Sequence, residues 1–181
     1  MQETELKAII SENQYNMLET KFLWDSIKEQ TNSYYISPDN SLKRNGITFR
    51  IRTIDNKHTI QIKKHTAKER ALQISDESEY EIDHIPYEFN QDEVNAYTGI
   101  SVPVSLIGEL TTLRHSFMFS DGVEICLDKS FYLGQTDYEI EIEYTKPIPD
   151  ELFAMLSDIG IDFSKKCVGK FSRFMNRLGA L

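Results

Sequence analysis

The sequence predicts an α+β fold in which an antiparallel β-sheet carries helices on its apolar outer face. Three observations lead to this prediction. Several segments alternate charged and apolar residues with the two-residue period of a β-strand. Two pairs of these segments are separated by short polar stretches typical of hairpin turns. Other segments repeat apolar residues at helical spacing, and these helices need an apolar surface on which to pack.

Length and charge narrow the class of protein further. The chain has 181 residues and is expected to form one domain over residues 1–181. Its formal net charge of -9 argues against binding nucleic acid through bulk charge. No targeting segment or membrane span is recognisable, and the two cysteines lack metal-type spacing. We expect a cytoplasmic protein, monomeric or homodimeric, that binds neither nucleic acid nor membranes.

The N-terminal half begins with a strand followed by a helix. Residues 2–10 alternate as a strand, and residues 11–27 show helical periodicity after a capping box formed by Ser11 and Gln14. A short strand over 33–37 ends at a Ser-Pro-Asp turn.

The central segments predict a hairpin and a further strand. Residues 47–54 and 58–65 alternate around the polar stretch Asp-Asn-Lys, which predicts a hairpin turn. Residues 77–83 predict another strand, whereas 90–97 and 102–108 are short and expected to be partly helical.

The C-terminal half predicts a second hairpin, a last strand and two helices. The hairpin joins 109–119 to 123–128 through Ser-Asp-Gly, and the last strand covers 137–144. Helices are predicted over 149–160 and 164–179.

Each predicted strand concentrates its charged and polar side chains on one face. These faces hold Glu3, Glu5 and Lys7; Arg50 and Arg52; Gln61 and Lys63; Glu79 and Glu81; Thr112 and Arg114; Glu124, Cys126 and Asp128; and Glu139, Glu141 and Glu143. An antiparallel sheet with one face in water would give the same alternation. However, several strands carry charges of one sign only. If about eight strands close on the charged face, the result is a barrel with a charged lumen.

A charged lumen requires partners, because buried charges are stable only when they are paired or bound to ligands. The arginine and lysine side chains suit a polyanion, and the carboxylates suit a hard divalent cation.

Here the sequence resembles a known family. The N-terminal ETELK matches the ExExK signature of the CYTH family, also called triphosphate tunnel metalloenzymes. The family's further motifs follow in order as FRIR, IQIK, EYE, LTTLR, LDKSFYLGQTDYEIEIE and a basic C-terminal helix. The resemblance implies an eight-stranded antiparallel β-barrel, the triphosphate tunnel, with helices on its outer face. It also implies that the tunnel holds a triphosphate and one or two Mg²⁺ or Mn²⁺ ions.

Two features depart from the family pattern or leave it open. Thr112 stands where many relatives have a basic residue, so one phosphate contact is missing from the expected set. The last strand has three acidic residues in register, so the metal-binding pair is either Glu139 with Glu141 or Glu141 with Glu143. The sequence DYEIE favours the first pair.

The resemblance and the chemistry of the side chains suggest specific roles. Carboxylates are ligands for Mg²⁺ or Mn²⁺, and the expected metal ligands are Glu3, Glu5, Glu139 and Glu141. Cations grip phosphate oxygens, and the expected substrate contacts are Lys7, Arg50, Arg52, Lys63, Arg114, Lys170 and Arg173. For Lys170 and Arg173 a solvated helix face is the alternative. A catalytic carboxylate that orients water is sought among Asp128, Glu79 and Glu81.

These roles predict a metal-dependent phosphohydrolase that cleaves a phosphoanhydride bond of inorganic triphosphate, thiamine triphosphate or a nucleoside triphosphate. Two alternatives use the same grip on a triphosphate. One is a class IV-type adenylate cyclase that makes cyclic AMP from ATP, and the other is a non-catalytic triphosphate or polyphosphate sensor. No group of residues that would read a purine base is recognisable, which favours hydrolysis.

Overall fold

The computed structural model describes residues 2–179 and contains nine strands. They are β1 (Gln2–Ile10), β2 (Ser26–Ile36), β3 (Ile47–Ile54), β4 (Lys57–Glu69), β5 (Leu72–Ile82), β6 (Glu88–Phe89), β7 (Val104–Ser120), β8 (Val123–Tyr132) and β9 (Gln135–Tyr144). Eight of them pair in the order β2-β3-β4-β5-β1-β9-β8-β7, and β2 also pairs with β7. This last pairing closes an eight-stranded antiparallel barrel, which confirms the predicted fold. The two-residue β6 pairs with the beginning of β7.

Five helices accompany the barrel: α1 (Glu12–Glu19), α2 (Ser41–Arg44), α3 (Gln91–Thr98), α4 (Asp150–Asp158) and α5 (Lys170–Leu178). Most of them cover its apolar outer face. Leu18 of α1 and Leu156 of α4 are buried against β8 and β9, and Val94 of α3 is buried against β3 and β4. Within residues 2–179, no helix has the length and apolar character needed to cross a bilayer.

Helix α5 packs differently, because it covers one end of the lumen. Its Phe174 and Met175 are fully buried in a cluster with Tyr34, Leu110 and Tyr132. These three strand residues lie an even number of positions from the inward-facing Gln30 of β2, Arg114 of β7 and Asp128 of β8, so they point inward. One end of the barrel is therefore closed by α5, which packs on inward-facing aromatic and apolar side chains.

A bulge allows this packing. Gly108 on β7 has a φ of +142°, and the register between β2 and β7 shifts beside it. A Cβ at Gly108 would lie 2.9 Å from the ring of Phe174. Glycine is thus required here both by the backbone conformation and by the close approach of α5.

The strands with clear alternation are confirmed. The predicted strands 2–10 and 47–54 coincide with β1 and β3. The hairpin after β3 turns through Asp55 and Asn56, whose positive φ values of 50° and 60° match a type I′ turn. The capping box of Ser11 and Gln14 is also present at the start of α1.

The prediction of one helix over residues 11–27 is wrong in its second half. Helix α1 ends at Glu19, and β2 begins at Ser26 and contains the predicted short strand. Ile27, expected on the apolar face of the helix, is 57 % exposed at the beginning of β2. Long-range hydrogen bonding to β7 over eleven residue pairs overrides the local helical periodicity.

Other boundaries also differ from the prediction. Residues 102–108, expected to be partly helical, lead into and form the first part of β7. Strand β5 begins five residues before the predicted residue 77. The last helix begins at Lys170 rather than at residue 164, with Gly169 as its N-cap. Met1, Ala180 and Leu181 of the predicted domain lie outside the described residues.

Candidate active site in the barrel lumen

The barrel encloses a cavity of about 670 Å³ that opens to solvent. Strands from all sides of the barrel and the first turn of α5 contribute to its wall. Its charged lining residues are Glu3, Glu5, Lys7, Lys43, Arg50, Arg52, Lys63, Glu77, Glu79, Arg114, Glu141, Glu143 and Lys170. The charged strand faces therefore line a lumen, as predicted, and the alternative of an open sheet with one face in water is excluded.

Two arginines in this cavity lack acidic partners. The Arg50 guanidinium donates from Nε to Gln61 at 2.9 Å, and Arg52 donates from Nε to Asn32 at 3.1 Å. In the described part of the chain, neither forms an ion pair with a carboxylate. Burial, together with the positive charges of Arg50 and Arg114, lowers the pKa of Arg52 to about 9. The cavity thus holds uncompensated positive charge that an anion would neutralise.

A cluster of three carboxylates also faces the cavity and is termed here the cavity cluster: Glu3, Glu5 and Glu143. One oxygen from each lies within 4.8 Å of the others. Burial and a hydrogen bond with Glu77 raise the pKa of Glu3 to about 8, and burial raises the pKa of Glu143. Lys63 lies 3.0 Å from Glu3 but does not offset the rise in its pKa. Glu5 differs, because Lys7 and Lys63, which lies 3.2 Å away, hold its pKa below the usual range despite burial. A divalent cation bound here would stabilise the ionised form of these three carboxylates.

A second carboxylate group, the buried cluster, consists of Asp128, Glu139 and Glu141. Arg114 donates to both oxygens of Asp128, at 2.8 and 2.7 Å. The Lys170 amine lies 2.8 Å from Asp128, 2.9 Å from Glu139 and 2.7 Å from Glu141. Although burial opposes ionisation, the charges of Lys170, Lys7 and Arg114 hold the pKa of Glu141 well below its usual range. The protein's own cations therefore compensate Asp128 and Glu141, whereas burial keeps the pKa of Glu139 above its usual range.

Lys7 connects the two clusters. Its amine lies 2.7 Å from Glu5 and 3.2 Å from Glu141. The ExExK spacing thus places Glu5 and Lys7 on the lumen-facing side of β1. There the Lys7 amine pairs with Glu5 of its own strand and with Glu141 of the neighbouring β9. Lys7 is consequently engaged by acidic side chains, unlike Arg50 and Arg52.

Of the remaining residues of the predicted site, some line the cavity and others do not. Glu79 lines the cavity, whereas Glu81 is exposed and is not part of the described cavity wall. Asp128 and Glu139 also lie behind the wall. Arg173 is not solvated as the alternative expected. Its guanidinium pairs with Asp137 at 2.8 Å and with Glu139 at 2.6 Å.

Two lumen residues were not among the predicted site residues although the alternation contained them. Glu77 shares the inward face of β5 with Glu79 and lies 2.8 Å from Lys63. Gln61 donates from Nε2 to Glu79 at 2.5 Å and accepts from Arg50. Gln61 therefore links a cavity carboxylate to one of the two unpaired arginines.

The closed antiparallel barrel with a lumen of segregated charges defines the class of fold, a triphosphate tunnel. The family model described as the CYTH domain matches residues 1–159. The chain belongs to the CYTH family.

Several solved structures share this fold. A proposed adenylyl cyclase from Hippeastrum, whose description reports a dominant triphosphatase activity, superposes with a TM-score of 0.78 at 20% identity, over 96% of this chain and 95% of that one. A proposed adenylate cyclase from Bacillus halodurans gives a TM-score of 0.69 at 24% identity, over 94% and 95% of the two chains. The Mimivirus capping enzyme triphosphatase gives 0.53 at 14% identity, over 87% and 88%. No curated protein matches the sequence significantly. At these identities the structures establish the fold alone.

Proposed function

We propose that the protein is a divalent-metal-dependent phosphohydrolase that cleaves a phosphoanhydride bond of a molecule containing a triphosphate. The observation that carries the proposal is one cavity that contains both uncompensated arginines and a carboxylate cluster in which the pKa values of Glu3 and Glu143 are raised. A polyanion and a divalent cation, bound together, would satisfy both.

The cavity cluster fits Mg²⁺ or Mn²⁺, because it offers three carboxylate oxygens close together and facing the lumen. The proposal assigns the metal to Glu3, Glu5 and Glu143, with Glu141 beside them. It therefore favours Glu141 with Glu143 over Glu139 with Glu141, the two pairs that the sequence left open. Glu139 lies behind the cavity wall and forms an ion pair with Lys170. A bound ion would neutralise charge on the phosphate oxygens and polarise the reacting phosphorus.

Arg50 and Arg52 bind the phosphate chain in this proposal. Each guanidinium uses its Nε for a neutral side chain and leaves its terminal nitrogens for phosphate oxygens. Arg114 has a different task, since its fork is occupied by Asp128. Asp128 therefore orients Arg114 in the wall and does not contact the reacting water.

Glu79 is the predicted catalytic carboxylate that lines the cavity, so the proposal assigns it the orientation of the attacking water. Gln61 holds Glu79 through its amide and holds Arg50 through its carbonyl oxygen. The water acceptor and the phosphate grip are thus fixed relative to each other.

The test is a substrate panel with Mg²⁺ and with Mn²⁺, in which released phosphate and cyclic AMP are measured in parallel. The panel contains inorganic triphosphate, thiamine triphosphate and ATP. Release of phosphate from at least one substrate, lost in Glu79→Gln and retained in Glu81→Gln, is the expected result. Formation of cyclic AMP and pyrophosphate from ATP would contradict hydrolysis and identify a cyclase. Tight binding without turnover would identify a sensor.

A further inference from the structure

The closed end of the lumen carries a group of hydrogen-bond donors that the site described above does not use. Tyr34 is fully buried and Gln73 is 1 % exposed, and both line the cavity. Within residues 2–179, neither the Tyr34 hydroxyl nor the Gln73 side-chain nitrogen has a hydrogen-bond partner. Buried polar groups are rarely left in this state, so these two donors are available to a group that enters the cavity.

The N-terminus of α5 is the second part of this group. No side chain caps the helix, and Gly169, Lys170, Phe171 and Ser172 all line the cavity. The first backbone N–H groups of a helix have no intrahelical acceptors and favour anions.

Packing places these donors beside one another. A Cβ at Gly169 would lie 3.8 Å from the Gln73 side-chain oxygen, so Gln73 lies against the beginning of α5. The ring of Tyr34 packs on Phe171, with centroids 5.1 Å apart. Tyr34 is also paired with Arg50 across β2 and β3. The donors therefore continue directly from the arginines.

We infer that Tyr34, Gln73 and the N-terminus of α5 form a subsite for one phosphoryl group at the closed end of the lumen. The Tyr34 hydroxyl, the Gln73 side-chain nitrogen and the helix N–H groups can all donate, and the oxygens of a phosphoryl group accept. This inference rests on the proposed function, since the subsite extends the same phosphate grip. A linear chain of three phosphates spans both the arginines and the subsite, whereas pyrophosphate occupies the arginines alone.

The test is isothermal titration calorimetry in EDTA, which prevents metal-dependent turnover, with phosphate, pyrophosphate and inorganic triphosphate. Tyr34→Phe removes only the unpartnered hydroxyl, and Gln73→Met removes only the amide. We expect each to weaken triphosphate binding about tenfold and to change pyrophosphate binding less than about twofold. Tyr35→Phe is the matched control. The Tyr35 hydroxyl donates to the carbonyl oxygen of Pro86 at 2.6 Å, away from the cavity.

Thermal unfolding without ligand separates binding from a structural role. Removing an unsatisfied hydroxyl should leave the Tm of Tyr34→Phe unchanged or raise it. A lowered Tm with unchanged triphosphate affinity would overturn the subsite.

Adding phosphate to the pyrophosphate complex shows whether the subsite binds a separate phosphate ion or the end of a single phosphate chain. Phosphate that binds there in a Tyr34-dependent manner supports a separate ion in the subsite. Its failure to bind, combined with weakened triphosphate binding in Tyr34→Phe, supports the end of a single chain. Equal losses for pyrophosphate and triphosphate would overturn the subsite. If Arg52→Ala weakens triphosphate binding but Tyr34→Phe does not, the subsite alone fails. If the wild-type protein binds none of the three, either in EDTA or with Mg²⁺ added, the proposed function fails with it.

Discussion

The most informative single substitution is Arg52→Ala, because Arg52 is a lumen cation without an acidic partner. Among residues 2–179 its guanidinium donates a hydrogen bond to Asn32 and forms no ion pair, and its pKa is lowered by burial and by the nearby arginines. In the empty protein the substitution removes a repelled charge, so the Tm should stay the same or rise. In the presence of triphosphate the same substitution removes a phosphate contact.

The expected magnitude follows from the energy of one charge-assisted contact. Losing about 2 kcal/mol of binding energy weakens the affinity about 30-fold. At a ligand concentration about 100 times the wild-type Kd, binding stabilises the wild-type fold by about 2.7 kcal/mol. At that concentration the variant is at only about three times its own Kd, which gives about 0.9 kcal/mol. For a protein of this size, the ligand-induced Tm shift should fall from roughly 5–11 °C to roughly 2–4 °C.

The assay is a thermal melt with phosphate, pyrophosphate and triphosphate at matched ionic strength. Arg177→Ala is the control, because it removes the same charge from an exposed position on α5. It should keep the wild-type shift. Equal shifts for all three anions, unchanged in Arg52→Ala, would refute the reasoning that this arginine belongs to a preformed anion site.

Three further predictions follow from individual contacts. Glu5→Gln should abolish divalent-dependent turnover, because the amide lacks the anionic ligand oxygen, while circular dichroism still shows a folded protein. Full activity of the variant at low metal concentration would show that Glu5 is not a metal ligand. Asp128→Asn should lower the free energy of unfolding by about 3–5 kcal/mol, measured by urea denaturation, because the buried cations Arg114 and Lys170 each lose one of their carboxylate partners; a loss below about 1 kcal/mol would contradict this. Gly108→Ala should destabilise the fold by about 1–3 kcal/mol in the same assay, through the clash with Phe174, and an unchanged midpoint would show that α5 does not pack there.

The strands predicted most accurately are those in which charge alternates strictly with apolar residues. In β3, Arg50 and Arg52 alternate with buried Phe49 and Ile51, so the sequence predicted both the two-residue period of a strand and the face that is buried. Strand β2 was not predicted over its length, because its first half is polar on both faces and its hydrogen bonds go to the distant β7. The beginning of β7 was missed for a related reason, since its apolar run contains Gly108 and a bulge.

The inward direction of the charged side chains was also predictable, but their grouping was not. Glu139, Glu141 and Glu143 share one face of β9 and are equivalent in the sequence. The register decides between them, because Glu143 is paired with Glu5 and Glu139 is paired with Asp128. The register of β8 with β9 follows from their hairpin turn, whereas the register of β1 with the distant β9 is set by barrel closure, which no local pattern encodes.

The central claim is that one lumen binds a triphosphate and a divalent cation side by side. Diffraction from crystals soaked with Mn²⁺ and imidotriphosphate, recorded at the manganese absorption edge, tests it most directly. The account predicts an anomalous peak within coordination distance of Glu3, Glu5 and Glu143, with the phosphate chain against Arg50 and Arg52. A manganese peak in the buried cluster, or the analogue bound outside the barrel, would contradict it.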